Sequence, residues 1–299
     1  MFQQERLVMT DFELQQFVAE EIKSVVAESP ENRLKDIDGT PIFEKPLVGF
    51  ADGDDPLFQQ YKQIIGDFHL TPREALAKHI GEVTGREPEP MPHVGVISWI
   101  LPIAKATKLS NAKMTDGPSL RWNHTRWQGE AFNESLRRHV ASLLEERGHP
   151  AVAPMLASFF KIVTLPNGFA STWSERHAAF AAGLGTFSLN DAMITKKGIA
   201  MRCGSVVSML KVKPTPRPYQ HHQAYCPYVH DGSCGICIAR CPAGAIGPNG
   251  HDKNKCRKYM FGEQRVWAEA RPGYVGAYAG CGLCQTKVPC QSRIPPKRR

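Results

Sequence analysis

Nowhere in its 299 residues does the sequence run through the roughly 18 consecutive apolar residues that a membrane-spanning helix needs. The first residues, MFQQERLVMTDFELQQ, hold neither an apolar signal core nor a twin-arginine pair, which points to the cytoplasm and away from any membrane. There is no internal repeat, and the only biased tract is the short basic end PPKRR. A dinucleotide-type glycine fingerprint is also missing, which argues against a directly bound nicotinamide cofactor. Cysteine is absent from the first 202 residues, so a disulfide framework of the kind that staples short secreted chains is not the reason for the nine that follow. With 42% hydrophobic and 22% charged residues, what is present suits an ordinary globular chain with one large or two ordinary domains.

Eight of the nine cysteines lie between residues 226 and 290. The stretch HDGSCGICIARCPAGAI resembles the bacterial iron–sulfur run C-x2-C-x2-C-x3-C-P, with Cys234, Cys237 and Cys241-Pro242 in place but Asp231 where the first cysteine belongs. Clusters favour thiolate over carboxylate, so Cys226, seven residues upstream of Cys234, is the expected replacement, brought in by the Asp-Gly turn of PYVHDGS. A second group, Cys256, Cys281, Cys284 and Cys290, has the looser C-x2-C-x5-C spacing, with Pro289 before its last cysteine. In two-cluster ferredoxins the runs exchange their fourth ligands. That rule assigns Cys226, Cys234, Cys237 and Cys290 to one [4Fe-4S] cluster and Cys241, Cys256, Cys281 and Cys284 to the other. Paired zinc sites are the alternative, since C-x2-C spacing serves zinc as well. Cys203 stands apart in a strand pattern and reads as a small buried hydrophobe.

The net charge of +8 is concentrated in the same region: from residue 249 onward eleven Lys and Arg stand against three acids, an excess equal to that of the whole chain. A nucleic-acid patch is one reading. The other is that these cations offset the negative charge of thiolate-ligated clusters.

Upstream, apolar residues Leu14, Phe17, Val18, Ile22 and Val25 share a helical face, predicting a helix over 11–28 with Thr10 as its cap. TPRE predicts another, with Thr71 capping, Pro72 in the first turn and Glu74 completing a capping box. HVGVISWILPIA and FFKIVTLP read as strands, and a helix is expected from about 130 to 147, stopped by Gly148 and Pro150. STWSERHAAFAAG reads as a helix with Thr172 and Glu175 at capping-box spacing and Gly183 at its end. AMIT and IAMRCGSVVSMLKV read as strands joined by a Lys-Lys-Gly turn. The Pro-rich stretch KPTPRPYQHHQ after Val212 is the expected domain boundary. The resulting division is an N-terminal helical region over 1–90, an α/β cofactor domain over 91–213 and a cluster domain over 214–299.

The alanines of ERHAAFAAGLGTFS leave little side-chain bulk, so either a sheet or a flat cofactor can approach that helix closely. Glu175, Arg176 and His177 fall in its first turn, where charged residues commonly serve capping; His177 also titrates near neutrality when solvated and is the candidate proton donor. GFADGDDPLF, with Asp52, Asp54 and Asp55, lacks calcium-loop spacing and reads as a surface turn. RWNHTRWQGEAFN interleaves Arg121, Trp122, His124, Arg126 and Trp127; a lining role near a cofactor is favoured over base stacking.

The pair ERHAAFAAGLGTFS and CGICIARCPAGAI, followed by KCRKYM and CGLCQ, resembles the epoxyqueuosine reductase family, relatives of the cobalamin-dependent reductive dehalogenases, over about residues 90 to 290. The resemblance implies a nitroreductase-like mixed α/β (α+β) domain that binds cobalamin, followed by a ferredoxin-like domain with two [4Fe-4S] clusters. It places Glu175, Arg176 and His177, the turn Gly183, Gly185, Thr186 and Ser188, and more weakly Arg202 against the corrin. An electron donor such as a ferredoxin or flavodoxin, and a small reducible substrate, are then the expected partners. The sequence departs from the family in three places. The Val-Asp-Thr-type segment is absent, with no acid between Lys161 and Glu175; Gly185-Thr186-Phe187-Ser188-Leu189-Asn190 replaces Gly-Trp-x-Gly-Lys-Asn; and no helical-repeat region follows. Alternative readings are an electron-transfer protein without its own substrate, a flavin-dependent reductase, and, on the resemblance and the basic tail, a tRNA-reducing enzyme.

Overall fold

The architecture is built on one four-stranded antiparallel sheet in the order β1-β2-β8-β3, formed by β1 (Leu47–Asp52), β2 (Gly95–Pro102), β3 (Ala151–Val152) and β8 (Met201–Ser208). The computed structural model describes residues 9–166 and 168–296. All eight residues of β2 are buried. Side chains alternate across a strand, so Ile97, Trp99 and Leu101 enter one core while Val96 and Ile100 enter another. Layers on both faces explain why the strand is buried throughout.

On the first face lie α1 (Asp11–Glu28) and α5 (Leu120–Glu145), which bring Leu14, Val18, Ile22, Leu136 and Val140 onto Trp99 and Leu101. Fully burying each such side chain contributes about 1.5–3 kcal/mol. Thr10 caps α1 through a capping box with Glu13. Helix α5 is capped by Ser119 and starts ten residues before the predicted one, so RWNHTRW forms its first two turns.

The second face is covered by α2 (Pro56–Ile65), α3 (Pro72–Thr84) and α6 (Glu175–Ala181). Ala178, Ala179, Ala181 and Ala182 are all buried in this second core, so the small residues of α6 serve close packing on the sheet. Its cap is Ser174, whose hydroxyl accepts from the His177 N–H. Thr172 instead bonds the backbone of Phe159 and Lys161, which withdraws it from the expected box.

Two hairpins and a short helix complete this part. β4 (Ile162–Leu165) pairs with β5 (Gly168–Ser171), and β6 (Gly185–Phe187) with β7 (Met193–Thr195). Helix α4 (Lys105–Ala112) follows β2. FFKIVTLP supplies the expected strand as a hairpin arm, with Ile162 exposed. The Lys-Lys-Gly turn joins β7 to β8, yet each pairs with a different sheet. The region expected to be helical over 1–90 also supplies β1.

The Pro-rich stretch lies down on the sheet region: Thr215 and Phe50 exchange two hydrogen bonds of 2.9 Å, and the Tyr219 hydroxyl donates to the Phe180 carbonyl at 2.7 Å. Gly183 (φ 73°) ends α6 beneath it, where a Cβ would stand 2.5 Å from the Pro216 carbonyl oxygen. Beyond it come α7 (Pro227–Asp231), α8 (Ile236–Ala239), the hairpin β9 (Ile246–Gly247) and β10 (Gly250–His251), α9 (Lys253–Lys258) and α10 (Gln264–Ala270). This segment is tied to α5 by Asn123, which bonds the carbonyls of Val275 and Ala279, and to the turn before β8 by Ile199 N–H, which donates to Cys290 O at 2.8 Å.

Candidate redox site

The eight clustered cysteines are all free thiols, and they sort into two groups around two separate cavities. Cys226, Cys234, Cys237 and Cys290 line the first, a small space of about 20 Å³ walled by Ser188, Asn190, Ile194, Ile199 and three prolines. Cys241, Cys256, Cys281 and Cys284 line the second, about 280 Å³, together with Arg126, Arg176, Arg202 and His251. The fold explains both groupings. Cys226 is buried at the head of α7, and α8 carries Cys237; the Ile199–Cys290 backbone bond draws the end of the chain back onto them. Asn190 donates to the Cys284 carbonyl at 3.1 Å and Asn111 to the hydroxyl of Thr286 at 3.1 Å, which pins the Cys281–Cys284 loop. Asp231 is the last residue of α7, exposed, and accepts from the Ser233 N–H at 2.8 Å.

Crowded thiols in a buried setting resist ionisation. Burial and then the neighbouring sulfurs push Cys237 up to about 11 and Cys281 and Cys290 up to about 12, with Cys284 well above its usual value. Such a site gains by losing protons to metal. Arg240 supports the same fit: it bonds the carbonyls of Thr286 and Met114, lies close enough to Cys281 to favour its thiolate, and leaves one buried guanidinium nitrogen without a partner among the described residues. A negatively charged cluster, if bound, would supply what that nitrogen lacks. In the second cavity the space already admits one; in the first the thiols must part to make room. Among the described residues, no three His, Cys, Asp or Glu side chains converge on a single ion position.

A third and far larger cavity, about 990 Å³, opens between α2, α6, the β4–β5 hairpin and the Pro-rich stretch. Aromatic side chains Tyr61, His177, Phe180, Phe187 and Tyr219 line it, with Arg176, Asp191, Arg217 and Lys253 as its charged groups along with Asp55. Asp55 caps α2 and pairs with Arg217 at 2.6 Å, while Asp54 pairs with Arg73, so the acidic turn is engaged in holding the chain. Arg176 lines both this cavity and the second cysteine cavity and donates to the Asp191 carbonyl. Asp191 Oδ2 lies 3.2 Å from His251 Nδ1, and His251 and Cys256 line the same cavity. Although burial opposes its charge, the Asp191 carboxylate and the nearby Cys256 hold the ring up at about 9.

The residues singled out in the sequence separate clearly. Arg176 and His177 reach the large cavity, Arg202 the second cysteine cavity and Ser188 the wall of the first. Glu175 turns inward, 3.0 Å from Arg137 Nε and accepting from the Ser205 hydroxyl. Gly183 and Gly185 pack against backbone, and buried Thr186 accepts from the Tyr225 N–H at 3.0 Å, anchoring the approach to Cys226. Burial, then Arg176, presses His177 down to about 3, and its Nδ1 sits 2.7 Å from the Ser174 hydroxyl. The shift favours the neutral ring at pH 7. Arg202 is lowered to about 10 by burial and Arg126, and keeps its charge at neutral pH. From RWNHTRW, Trp122 and Arg126 line the second cysteine cavity, whereas Arg121 pairs with Asp38 and Trp127 packs on Tyr278. Cys203 is half-buried in β8 and pushed up to about 12 by burial, which leaves it an inert thiol. Asp191, His251, Tyr219, Arg217 and Lys253 carry no sequence signal of their own; tertiary contacts alone bring them to the cavities.

No known family pattern matches the chain, and no curated protein is similar to it in sequence. Among solved structures, the catabolic reductive dehalogenase NpRdhA aligns over 83% of this chain and 30% of its own, at 15% identity and a TM-score of 0.50. The fold is similar to that of a reductive dehalogenase. An epoxyqueuosine reductase from Bacillus subtilis aligns over 95% of this chain and 69% of its own, at 17% identity and a TM-score of 0.45. An epoxyqueuosine reductase bound to a modified tRNA stem loop aligns over 93% of this chain and 65% of its own, at 16% identity and a TM-score of 0.44. The chain therefore spans less than a third of the dehalogenase's length. Among the described residues no helix is long and apolar enough to cross a membrane. The basic tail, from Lys297 on, lies outside the described residues.

Proposed function

We propose that this chain is an iron–sulfur oxidoreductase whose two [4Fe-4S] clusters pass electrons, one at a time, to a cofactor in the large cavity. The observation that carries the reading is the sorting of eight cysteines onto two cavities in the combination that the ligand-exchange rule requires. Cys226, Cys234, Cys237 and Cys290 hold the first cluster, and Cys241, Cys256, Cys281 and Cys284 the second. The second is the one that delivers to the cavity, since Arg176 borders both spaces. Within 91–213, α6 and the β4–β5 hairpin form part of the cofactor cavity, which α2 and the Pro-rich stretch complete, and the segment from 214 on carries the eight cluster cysteines.

Cobalamin is the favoured occupant of the large cavity. Its volume, about 990 Å³, suits a large ring system, its aromatic walls suit a flat one, and Arg217 and Lys253 suit a phosphate. A bound cobalamin supplies a low-potential metal centre for reducing a small substrate. Around it, Tyr61, His177, Phe180 and Phe187 would exclude water and pack against the ring, and neutral His177 would accept or donate a single hydrogen bond. Asp191 and Lys253 are the groups placed to exchange a proton at the cavity wall. A flavin meets the same aromatic and cationic requirements and is the second reading. Either occupant disfavours a pure electron carrier, which has no need of such a cavity.

The test is incubation of anaerobically reconstituted protein with cobalamin and separately with flavin mononucleotide, followed by desalting and spectroscopy. Retained base-off cobalamin supports the first reading and retained flavin the second. Clusters without either cofactor overturn the enzyme assignment in favour of electron transfer alone.

A further inference from the structure

The two short helices beside the first cysteine cavity each show an apolar side chain to solvent. Val229 on α7 is 37% exposed and Ile236 on α8 is 44% exposed. The residues just before them meet, since a Cβ on Gly235 would stand 3.8 Å from the Tyr228 ring. Exposed cations flank the same cavity. Lys196 and Lys197 form the turn between its lining residues Ile194 and Ile199; Lys287 adjoins Val288, and Arg293 lies between Cys290 and Pro295, which also line it. These segments touch, because a Cβ on Gly198 would stand 2.4 Å from the Ser292 nitrogen. Lys287 holds φ 56°, a left-handed backbone that lysine adopts at a cost. Among the described residues none of the four cations is in an ion pair. The sequence has no acid from 192 to 230 or from 270 onward, and on α7 and α8 only Asp231 is acidic. The segment around Cys256 differs: Lys255 faces Asp252 at 4.0 Å and Arg265 pairs with Glu269 at 2.9 Å.

We propose that this apolar, basic-rimmed face beside the first cysteine cavity is the docking surface for an acidic electron-donor protein, a ferredoxin, which reduces the first cluster. The proposal rests on the two-cluster reading given above, in which the second cluster borders the large cavity and the first is left to receive electrons. In each encounter the iron–sulfur centre of the donor loses one electron and the first cluster gains it; no bond or proton is exchanged. An apolar centre with a polar rim is the usual anatomy of a protein interface, and transient redox pairs use small ones. Val229 and Ile236 supply the centre, and the four cations supply the rim. Cations unopposed by acids draw in an acidic partner from solution, and the attraction fades as salt screens it. A neutral or basic carrier gains nothing from them. The paired charges around Cys256 offer no such one-signed field, so the donor is directed to the first cluster.

The test mixes the anaerobically reconstituted full chain with reduced, acidic [2Fe-2S] ferredoxin by stopped flow and measures binding of the oxidised ferredoxin by calorimetry. Iron content and the extent of reduction by dithionite are measured on each sample first. In wild type the second-order rate is expected to fall at least about tenfold between about 0.05 M and about 0.5 M salt. Lys196→Glu/Lys197→Glu is expected to lower rate and affinity at least about tenfold at low salt, with iron content and dithionite reduction unchanged. Lys287→Glu/Arg293→Glu is expected to do the same, and it carries the test should the first variant not fold. Lys258→Glu/Arg265→Glu, on α9 and α10, is expected to stay within about twofold of wild type. Full iron content with a rate and affinity indifferent to salt and to both reversals overturns the docking surface alone. So does a larger loss in Lys258→Glu/Arg265→Glu. A flavodoxin that reduces the clusters faster than ferredoxin overturns the choice of occupant. A wild type that takes up no iron overturns the cluster reading and the proposal with it.

Discussion

Cys226 and Cys290 come from opposite ends of the cysteine-rich segment and line the same small cavity. The pairing resolves the irregular first run, in which Asp231 occupies a cysteine position. On the proposed cluster reading the ligand comes from the head of α7, and the aspartate stands at the helix end, bonded to the Ser233 N–H. Replacing Cys226 with Ser is expected to halve the iron bound after reconstitution, from about eight atoms to about four per chain. Asp231→Ala is expected to leave it unchanged, and equal losses in both variants would place the ligand at 231.

Arg137 and Glu175 form an ion pair whose side chains are 2% and 10% exposed. Burial works against the Arg137 charge, but Glu175 and Glu130 outweigh it and keep the guanidinium ionised. Glu175→Gln leaves a buried cation short of a partner and is expected to cost about 3–5 kcal/mol in urea unfolding. A cost below about 1 kcal/mol, the range of exposed pairs, would show that the site is solvated.

The depressed His177 makes stability depend on pH. Unfolded, the ring takes up a proton near its ordinary value of 6.5; folded, it does so only near 3. Between those values the unfolded chain binds more protons, so this contribution to stability is present above about pH 6.5 and is lost as pH falls toward about 3. His177→Phe, which keeps a ring against Tyr61 and Phe187, is expected to flatten that part of the profile. Urea midpoints at about pH 7 and about pH 4.5 check it, and an equal acid loss in wild type and variant would contradict it.

The wall of the large cavity can be filled without touching a cysteine. Ala170, on β5, lines it. Ala170→Trp is expected to lower retention of cobalamin at least tenfold while leaving iron content unchanged. Undiminished retention would place the cofactor elsewhere.

Much of this was legible in the sequence where the signal is local. Thr10 and Thr71 cap the helices they were expected to cap, because a capping box depends on residues three apart. The cysteine spacing likewise yields two groups of four before any fold is known. What the sequence hid depends on distant contacts. Thr172 has the spacing of a cap, but it bonds across to Phe159 and Lys161, and Ser174 takes its place. Glu175 looks like a solvent-facing first-turn acid until Arg137, from the middle of α5, is seen to claim it. The Pro-rich stretch reads as a linker, yet Arg217 and Tyr219 within it wall the large cavity. The pair of Asp191 and His251 joins a loop to a hairpin that no periodicity connects.

The most direct measurement of the central claim is the metal and acid-labile sulfide content of anaerobically reconstituted protein, with its resonance spectrum after reduction. About eight irons and eight sulfides per chain, with the spectrum of two interacting [4Fe-4S] clusters, is the expected result. Stoichiometric zinc, or far fewer irons than eight in fully folded protein, would contradict it.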